Sequence, residues 1–292
     1  MTANTKRETV LVTSATGKTG RRVAKLLAEQ GTRVRAGSRK AAAPDTAGAG
    51  SAGVVETVLD WEDPSTWGPA LNGVDAAFVA FYPDLAVPGA ADAMREFGRA
   101  ARENGVRRLV LLCGRGEPQA EAAEDALREC GVDLTLVRAA FFTQNFDEGL
   151  LAEGVRHGAI PMPAGQTTEP FIDADDIAEV AVAALTRDGY AGRTLELTGP
   201  RLLTFGEVAT ELTRASGREV RYVNLSEAEF REMLPTVGLS EEEAGWLAGV
   251  FTMLLDGHNS FTTDTVREVL GREPKDFTEY AREAAATGVW AV

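Results

Sequence analysis

The sequence predicts an α/β protein with a doubly wound parallel sheet and a smaller, mostly α-helical C-terminal lobe. Strand-like and helix-like segments alternate through the first half of the chain, which is the order of a parallel sheet with helices on both faces. The first strand-like segment, VLVT, leads into the turn SATGKTG and then into a helical segment, RRVAKLLAEQG. After Leu203 the pattern becomes mostly helical, which predicts the second lobe.

Runs of apolar and β-branched residues predict the strands of the first half, at residues 9–14, 32–38, 54–60, 75–81, 107–114 and 132–140. Between them, apolar residues at three- and four-residue spacing predict helices at 19–30, 64–71, 90–104 and 118–129. The low-complexity segment 40–53, KAAAPDTAGAGSAG, predicts a loop on the side of the sheet where a cofactor binds.

In the second half, residues 173–186 predict a helix that begins with acidic residues, and 193–198 predict a strand that returns to the sheet. Residues 219–224 predict one further strand. The domain boundaries follow from these elements: a cofactor domain of residues 1–149 with 171–200 returning to it, and a substrate lobe of 150–170 and 201–292.

Composition excludes several classes of function. The chain has 292 residues, of which 44% are hydrophobic, and a formal net charge of −14, which argues against a nucleic-acid surface. The N-terminal MTANTKRE has no signal-peptide core, and no apolar run is long enough to span a bilayer, so we expect a cytoplasmic protein without membrane contact. The two cysteines and two histidines have no metal-ligand spacing, so we expect no metal site.

The turn after the first strand predicts a dinucleotide phosphate site of the Rossmann type. Gly17 and Gly20 fill the second and third positions of the glycine pattern, where small residues admit the pyrophosphate and let the helix approach the strand. Ser14 stands at the first position, and its hydroxyl is a candidate phosphate ligand. Two alternatives stay open: a GxxxxGK[ST] loop, although Val12 occupies its first glycine position, and an ordinary strand-turn-helix unit.

The end of the second strand predicts NADP(H) rather than NAD(H). NAD-selective sites place a carboxylate there for the ribose hydroxyl, whereas this strand ends in Ser38, Arg39 and Lys40. Ser38 and Arg39 are donors suited to a 2′-phosphate. The alternative is that Arg39 and Lys40 only solvate the loop.

Two residues at the ends of the next strands are further cofactor candidates. Asp60 follows the third strand and is placed for the adenine amino group, with capping of the helix at Pro64 as the alternative. Phe81 follows the fourth strand, where ligands bind in such sheets, with core packing as the alternative.

The chain resembles the NmrA-like branch of the atypical short-chain dehydrogenase/reductases. The resemblance rests on VTSATGKTG, NGVRRLVLLCGRG, LTLVRAAFFTQNF, FIDADDIAEVAVAALT and GREPKDFTEYAREAA. It implies a pyrophosphate site at Ser14, Thr16, Gly17, Lys18, Thr19 and Gly20 and an adenosine phosphate site at Ser38 and Arg39. It also implies that Phe81, Cys113 and Phe141 border the nicotinamide, and that Asn145 lies where the lobes meet.

The sequence departs from the usual catalytic pattern of these enzymes. A Ser, a Tyr and a Lys normally supply the proton, but Cys113 stands at the serine position and the following helix contains neither Tyr nor Lys. Tyr82 is the candidate substitute proton donor, with an interfacial structural role as the alternative.

The expected function is transfer of hydride from NADPH to a quinone or carbonyl of a small apolar, aromatic or polyketide-like substrate. Phe142, Asn145, Trp246 and Met253 are the candidate substrate contacts, and core packing is the alternative for them. The second hypothesis is a non-catalytic NADP(H) sensor that acts through a protein partner. We expect a monomer or a homodimer.

Overall fold

A parallel sheet organises the first half of the chain, in a computed structural model that describes residues 8–40 and 53–291. Up to residue 139 the elements are β1 (Thr9–Val12), α1 (Lys18–Glu29), β2 (Arg33–Ser38), β3 (Val54–Val58), α2 (Trp67–Leu71), β4 (Ala76–Val79), α3 (Ala90–Glu103), β5 (Arg108–Gly114), α4 (Glu121–Arg128) and β6 (Asp133–Ala139). Short 3₁₀ turns at Pro64–Thr66 and Pro118–Ala120 precede α2 and α4. The predicted strands and helices of this half are confirmed to within two residues at each end, except that α2 and α4 begin three residues later than predicted, after the 3₁₀ turns.

The remaining elements are α5 (Ala152–Arg156), β7 (Ala159–Met162), β8 (Thr168–Glu169), α6 (Ala174–Thr186), β9 (Thr194–Leu197), β10 (Leu203–Thr204), α7 (Phe205–Ser216), β11 (Arg221–Asn224), α8 (Glu227–Met233), α9 (Glu241–Leu254), α10 (Thr265–Leu270) and α11 (Phe277–Ala286). Further 3₁₀ turns lie at Thr143–Phe146 and Leu234–Val237. The sequence did not predict β7, β8 and β10. Strands β8 and β10 have two residues each and are too short to show a period, and the proline in β7 (AIPM) argues against a strand.

The chain divides into two compact units. The first unit comprises Met1–Ala139 and Ala174–Glu196, and the second comprises Ala140–Asp173 and Leu197–Val292. The predicted loop over residues 40–53 lies outside the described residues from 41 to 52. Among the residues that are described, no helix has the length and apolar character needed to cross a membrane.

The strand order of the sheet is β3-β2-β1-β4-β5-β6-β9, with parallel pairing from β3 to β6. The chain crosses from β3 at one edge to β4 beside β1, so the order reverses between β1 and β4. In doubly wound sheets a ligand binds outside the carboxyl ends of the strands at such a reversal. The topology therefore places the candidate site at the ends of β1, β2, β4 and β5.

Helices cover both faces of this sheet. Leu11, Ala77 and Leu109 lie in one buried core with the side chains of α2, α3 and α4. Alternate residues such as Val10 and Phe78 are also buried, and because strand side chains alternate they point to the opposite face. On that face α1 packs against α6, and Arg22 of α1 forms an ion pair with Asp175 at 2.6 Å.

The second unit has an aromatic core and two short sheets. Strand β8 pairs with β10 in antiparallel orientation and β7 pairs with β11 in parallel orientation. Its fully buried rings belong to Phe146, Phe171, Phe205, Phe230 and Phe277. Helices α7, α8 and α9 each begin with a reciprocal Ser/Thr and Glu capping box, which explains why their N-termini are well defined by the sequence.

Candidate functional site

The turn between β1 and α1 is held by hydrogen bonds to the end of β4. Ser14 has a φ of 47°, in the left-handed region that a glycine normally occupies at this position. Its hydroxyl donates to the Ala80 carbonyl at 2.8 Å, and the Gly17 N–H donates to the Ser14 carbonyl at 2.8 Å. In this structure the single hydroxyl proton of Ser14 is donated within the protein, and its role as a phosphate ligand stays a prediction.

Gly20 lets α1 approach this turn closely. A Cβ at position 20 would lie closer than 3.0 Å to the backbone carbonyl of Ser14. Gly17 caps the helix with an extended backbone and without a side-chain cap, and the first turn contains no acidic residue. The first N–H groups of a helix have no intrahelical acceptors, so an uncapped N-terminus without carboxylates suits an anion.

Solvent reaches only part of the predicted pyrophosphate site. Thr16 and Gly17 are exposed and Lys18 is half-buried, whereas Thr19 and Gly20 are buried. Thr16, Gly17 and Lys18 combine an exposed turn with a cation. This arrangement fits a dinucleotide pyrophosphate, with Thr19 and Gly20 packing the helix against the turn.

The ends of β2 and β4 bring Arg39 and Tyr82 together. The Arg39 guanidinium lies 5.0 Å from the centre of the Tyr82 ring, a cation–π contact, and Tyr82 is 58% exposed. The Ser38 hydroxyl donates to the Lys40 carbonyl at 2.7 Å. Arg39 is the predicted ligand of the adenosine phosphate and Tyr82 the predicted proton donor, and the structure places these two side chains side by side.

Asp60 and Phe81 lie in a network around Trp61. The Asp60 carboxylate accepts from the Glu62 N–H at 3.1 Å. The 3₁₀ turn at Pro64 is capped by Asp63, whose carboxylate accepts from the Ser65 N–H, so capping by Asp60 is wrong. The Phe81 ring is half-buried and lies 5.0 Å from the Trp61 ring.

Cys113 lies in the core beside a buried ion pair. It is 4% exposed, and burial together with the Glu124 charge raises the pKa of its thiol well above the ordinary value. Arg138 donates to Glu124 through Nε at 2.9 Å and also through an Nη atom, while Glu124 is itself buried. The thiol therefore stays protonated at neutral pH and is not a nucleophile.

Glu117 is the residue at this edge that the sequence analysis missed. It follows the end of β5, and its carboxyl group lies against the backbone of Gly114. Burial, followed by the charges of Asp84 and Glu124, raises the pKa of Glu117 to about 8. Its position directly after a strand of the parallel sheet was the available signal. Within residues 8–40 and 53–291, no group of three or more His, Cys, Asp or Glu is placed to hold a metal ion.

The other predicted contacts belong to the second unit. Phe141 is half-buried inside the aromatic core, with its ring 5.5 Å from Phe171 and 5.9 Å from Phe251. Phe142 pairs with Ile172 in an isolated bridge.

Asn145 lies in the 3₁₀ turn at Thr143–Phe146, where its N–H donates to the Phe142 carbonyl at 3.1 Å. Trp246 and Met253 are half-buried on α9. Of the predicted contacts in the second unit, Phe141 has the contacts of a core residue, whereas Trp246 and Met253 keep partly accessible side chains.

In this protein the strand order of the sheet reverses beside a glycine turn and an uncapped helix N-terminus. These features define a dinucleotide-binding Rossmann protein. Residues 14–188 match a family described as NAD(P)H-binding, and residues 121–281 match the NmrA-like family. The chain belongs to the NmrA-like family of NAD(P)H-binding proteins, as its motifs predicted.

Several proteins that are similar to this chain are named as oxidoreductases. The chain is 32% identical to the uncharacterized oxidoreductase YesF of Bacillus subtilis over 292 residues, which cover 98% of this chain and 99% of YesF. It is 32% identical to the NAD(P)H azoreductase of Xenophilus azovorans over 287 residues, 95% and 98% of the two chains. The NADPH complex of the quinone oxidoreductase QOR2 of Escherichia coli superposes with a TM-score of 0.79 at 26% identity, covering 94% and 99%. The chain is thus an NAD(P)H-dependent oxidoreductase.

Proposed function

We propose that this protein transfers hydride from NADPH to a quinone or conjugated carbonyl of an apolar, aromatic substrate. The observation that carries the proposal is the cation at the end of β2. Arg39 is held over the Tyr82 ring, and residues 36–40 contain no carboxylate. When bound, the cofactor supplies the hydride, and the protein supplies binding, orientation and a proton.

The first unit has the groups needed to hold the cofactor. We assign Thr16, Gly17 and Lys18 to the pyrophosphate because they are the accessible residues at the start of α1. Ser38 and Arg39 are assigned to the 2′-phosphate. The half-buried Phe81 offers an apolar surface at the end of β4, beside the point where the strand order reverses.

The second unit supports an apolar substrate. Helix α9 carries the sequence EEEAGWLAGVFTML, but only Ala244 and Ala248 of it are buried. Trp246 and Met253 therefore keep apolar surface that is partly accessible, which suits an aromatic ligand. The names of the azoreductase and quinone oxidoreductase relatives agree with conjugated acceptors.

The variant Arg39→Ala is expected to weaken NADPH binding by roughly 10- to 100-fold, because a charge-assisted hydrogen bond contributes about 1.5–3 kcal/mol. NADH binding should change little, since NADH has no 2′-phosphate. The measurement is a titration followed by nicotinamide fluorescence. Lys40→Ala is the matched control, because Lys40 is an exposed cation one residue further along. Equal losses for the two nucleotides would contradict the assignment of Arg39.

The reaction itself is tested with a panel of benzoquinones and naphthoquinones, by following the steady oxidation of NADPH. We expect turnover with at least one quinone, and a lower rate with NADH. NADPH binding without turnover on the whole panel would contradict the proposal. That result would favour the sensor hypothesis, for which the absence of Tyr and Lys from α4 is the supporting observation.

A further inference from the structure

Glu117 lies at the carboxyl end of β5, on the sheet edge where parallel sheets bind their ligands. A Cβ added to Gly114 would come closer than 3.0 Å to both oxygens and to Cδ of the Glu117 carboxyl group. The carboxyl group therefore occupies the space that a side chain at position 114 would fill. This packing keeps it against the end of the strand, and the absence of a side chain at Gly114 makes the position possible.

The groups that face this carboxyl are mainly acidic. Asp84 follows β4, and Glu124 projects from α4. The Cys113 thiol on β5 interacts electrostatically with Glu117 as well. The guanidinium of Arg138 on β6 donates to the Glu124 carboxylate. In the part of the chain that the structure describes, no donor forms a hydrogen bond to the Glu117 carboxyl group.

These surroundings favour the neutral acid over the carboxylate. Burial is the largest cause of the shift, the charges of Asp84 and Glu124 add to it, and the pKa of Glu117 rises to about 8. The residue is only half-buried, so part of its side chain reaches solvent. A proton that is held at pH 7 and exchanges with solvent is what a general acid requires.

We propose that Glu117 is the proton donor of the reduction, in place of the Tyr and Lys that α4 lacks; this inference rests on the proposed function. When hydride adds to the carbonyl system of a quinone, the electron pair of the C=O bond moves to oxygen. The O–H bond of Glu117 breaks, and its proton bonds to that oxygen. The resulting carboxylate takes a proton from water. Each turnover consumes one hydride and one proton.

The central experiment compares wild type with Glu117→Gln, Glu121→Gln and Tyr82→Phe in quinone reduction between pH 6 and pH 10. Glu121 is an exposed carboxylate at the start of α4 and serves as the matched control. We expect the wild-type rate to fall as the pH rises above about 8 and Glu117→Gln to be about 100-fold slower at pH 7, without that fall. Its affinity for NADPH and the rate of Glu121→Gln should equal those of wild type.

A second measurement does not depend on turnover. Glutamate labelled with ¹³C at the side-chain carboxyl reports each titration by NMR in the protein without cofactor. One carboxyl should titrate near pH 8 in wild type and be missing from Glu117→Gln. Because the pKa of Glu117 is raised, ionisation of this residue lowers the stability of the folded wild type as the pH rises from the unfolded value of 4.5 to about 8. Glutamine cannot ionise, so Glu117→Gln avoids this loss and is expected to fold. At pH 9 it should melt at a higher temperature than wild type.

The outcomes separate this inference from the proposed function. If wild type binds NADPH and reduces no quinone, the proposed function fails and the role of Glu117 fails with it, whatever the NMR shows. If wild type reduces quinones but Glu117→Gln keeps both its rate and its pH profile, only the role of Glu117 is overturned. If Tyr82→Phe loses the pH-dependent rate and Glu117→Gln does not, the role of Glu117 is likewise overturned, in favour of Tyr82.

Discussion

The variant Gly20→Ala is expected to lose about 3 kcal/mol of unfolding free energy, which is the upper part of the usual range for overpacking. The added Cβ would approach the Ser14 carbonyl carbon and oxygen within 3.0 Å. These are backbone atoms of a turn that is fixed by bonds to Ala80 and Gly37, so they have little freedom to move. Because the same turn leads to the proposed phosphate site, NADPH binding should weaken as well. Thermal unfolding and a fluorescence titration measure the two effects.

Gly249→Ala is the matched control for this prediction. Gly249 lies inside α9, where an added Cβ would meet no atom within 4 Å. Alanine favours a helix over glycine by about 1 kcal/mol, so this variant should be slightly more stable than wild type. If Gly20→Ala were as stable as Gly249→Ala, the close approach of α1 to the turn would not be the reason for a glycine at position 20.

The variant Glu124→Ala is expected to destabilise the protein by about 3 kcal/mol, because removing one partner of a buried ion pair leaves the other charge without compensation. The Glu124 side chain is 2% exposed and that of Arg138 is 23% exposed, so Arg138 recovers only part of its hydration. The substitution also removes one of the charges that raise the pKa of Glu117. The Glu117 carboxyl should then titrate at a lower pH in the NMR experiment.

Asp125→Ala provides the comparison for Glu124→Ala on the same helix. Asp125 pairs with Arg128 at 2.7 Å, but its side chain is 67% exposed. Exposed ion pairs contribute about 0–1 kcal/mol, so little change in melting temperature is expected. If both variants lost a similar amount of unfolding free energy, burial would not be what sets the contribution of the Glu124–Arg138 pair to stability.

The first half of the fold could be predicted because its signals are local. Strands such as β4 and β5 are continuous apolar runs, as strands covered on both faces must be, and α1 and α3 repeat apolar residues at helical spacing. The glycine turn after β1 and the absence of a carboxylate after β2 can be predicted from the order of residues along the chain alone. The family resemblance follows from the same local motifs, and the comparisons confirmed it.

The small strands of the second unit could not be predicted in the same way. Strands β8 and β10 have two residues each, and they exist because Thr168 and Thr204 are brought together by the tertiary fold. Phe141 illustrates the same difficulty for the site. The family resemblance implied that Phe141 borders the nicotinamide, whereas its ring contacts lie within the aromatic core of the second unit.

The sequence by itself determined the sheet, the glycine turn and the absence of the usual Tyr and Lys, because each depends on residues that are close along the chain. Only the tertiary structure decided which side chains share an environment. It directs the Ser14 hydroxyl to Ala80, places Arg39 on Tyr82 and surrounds Glu117 with Asp84 and Glu124. The physical reason is that burial and electrostatic interaction depend on distance in space. Parallel strands bring their carboxyl ends to one edge from positions far apart in the sequence.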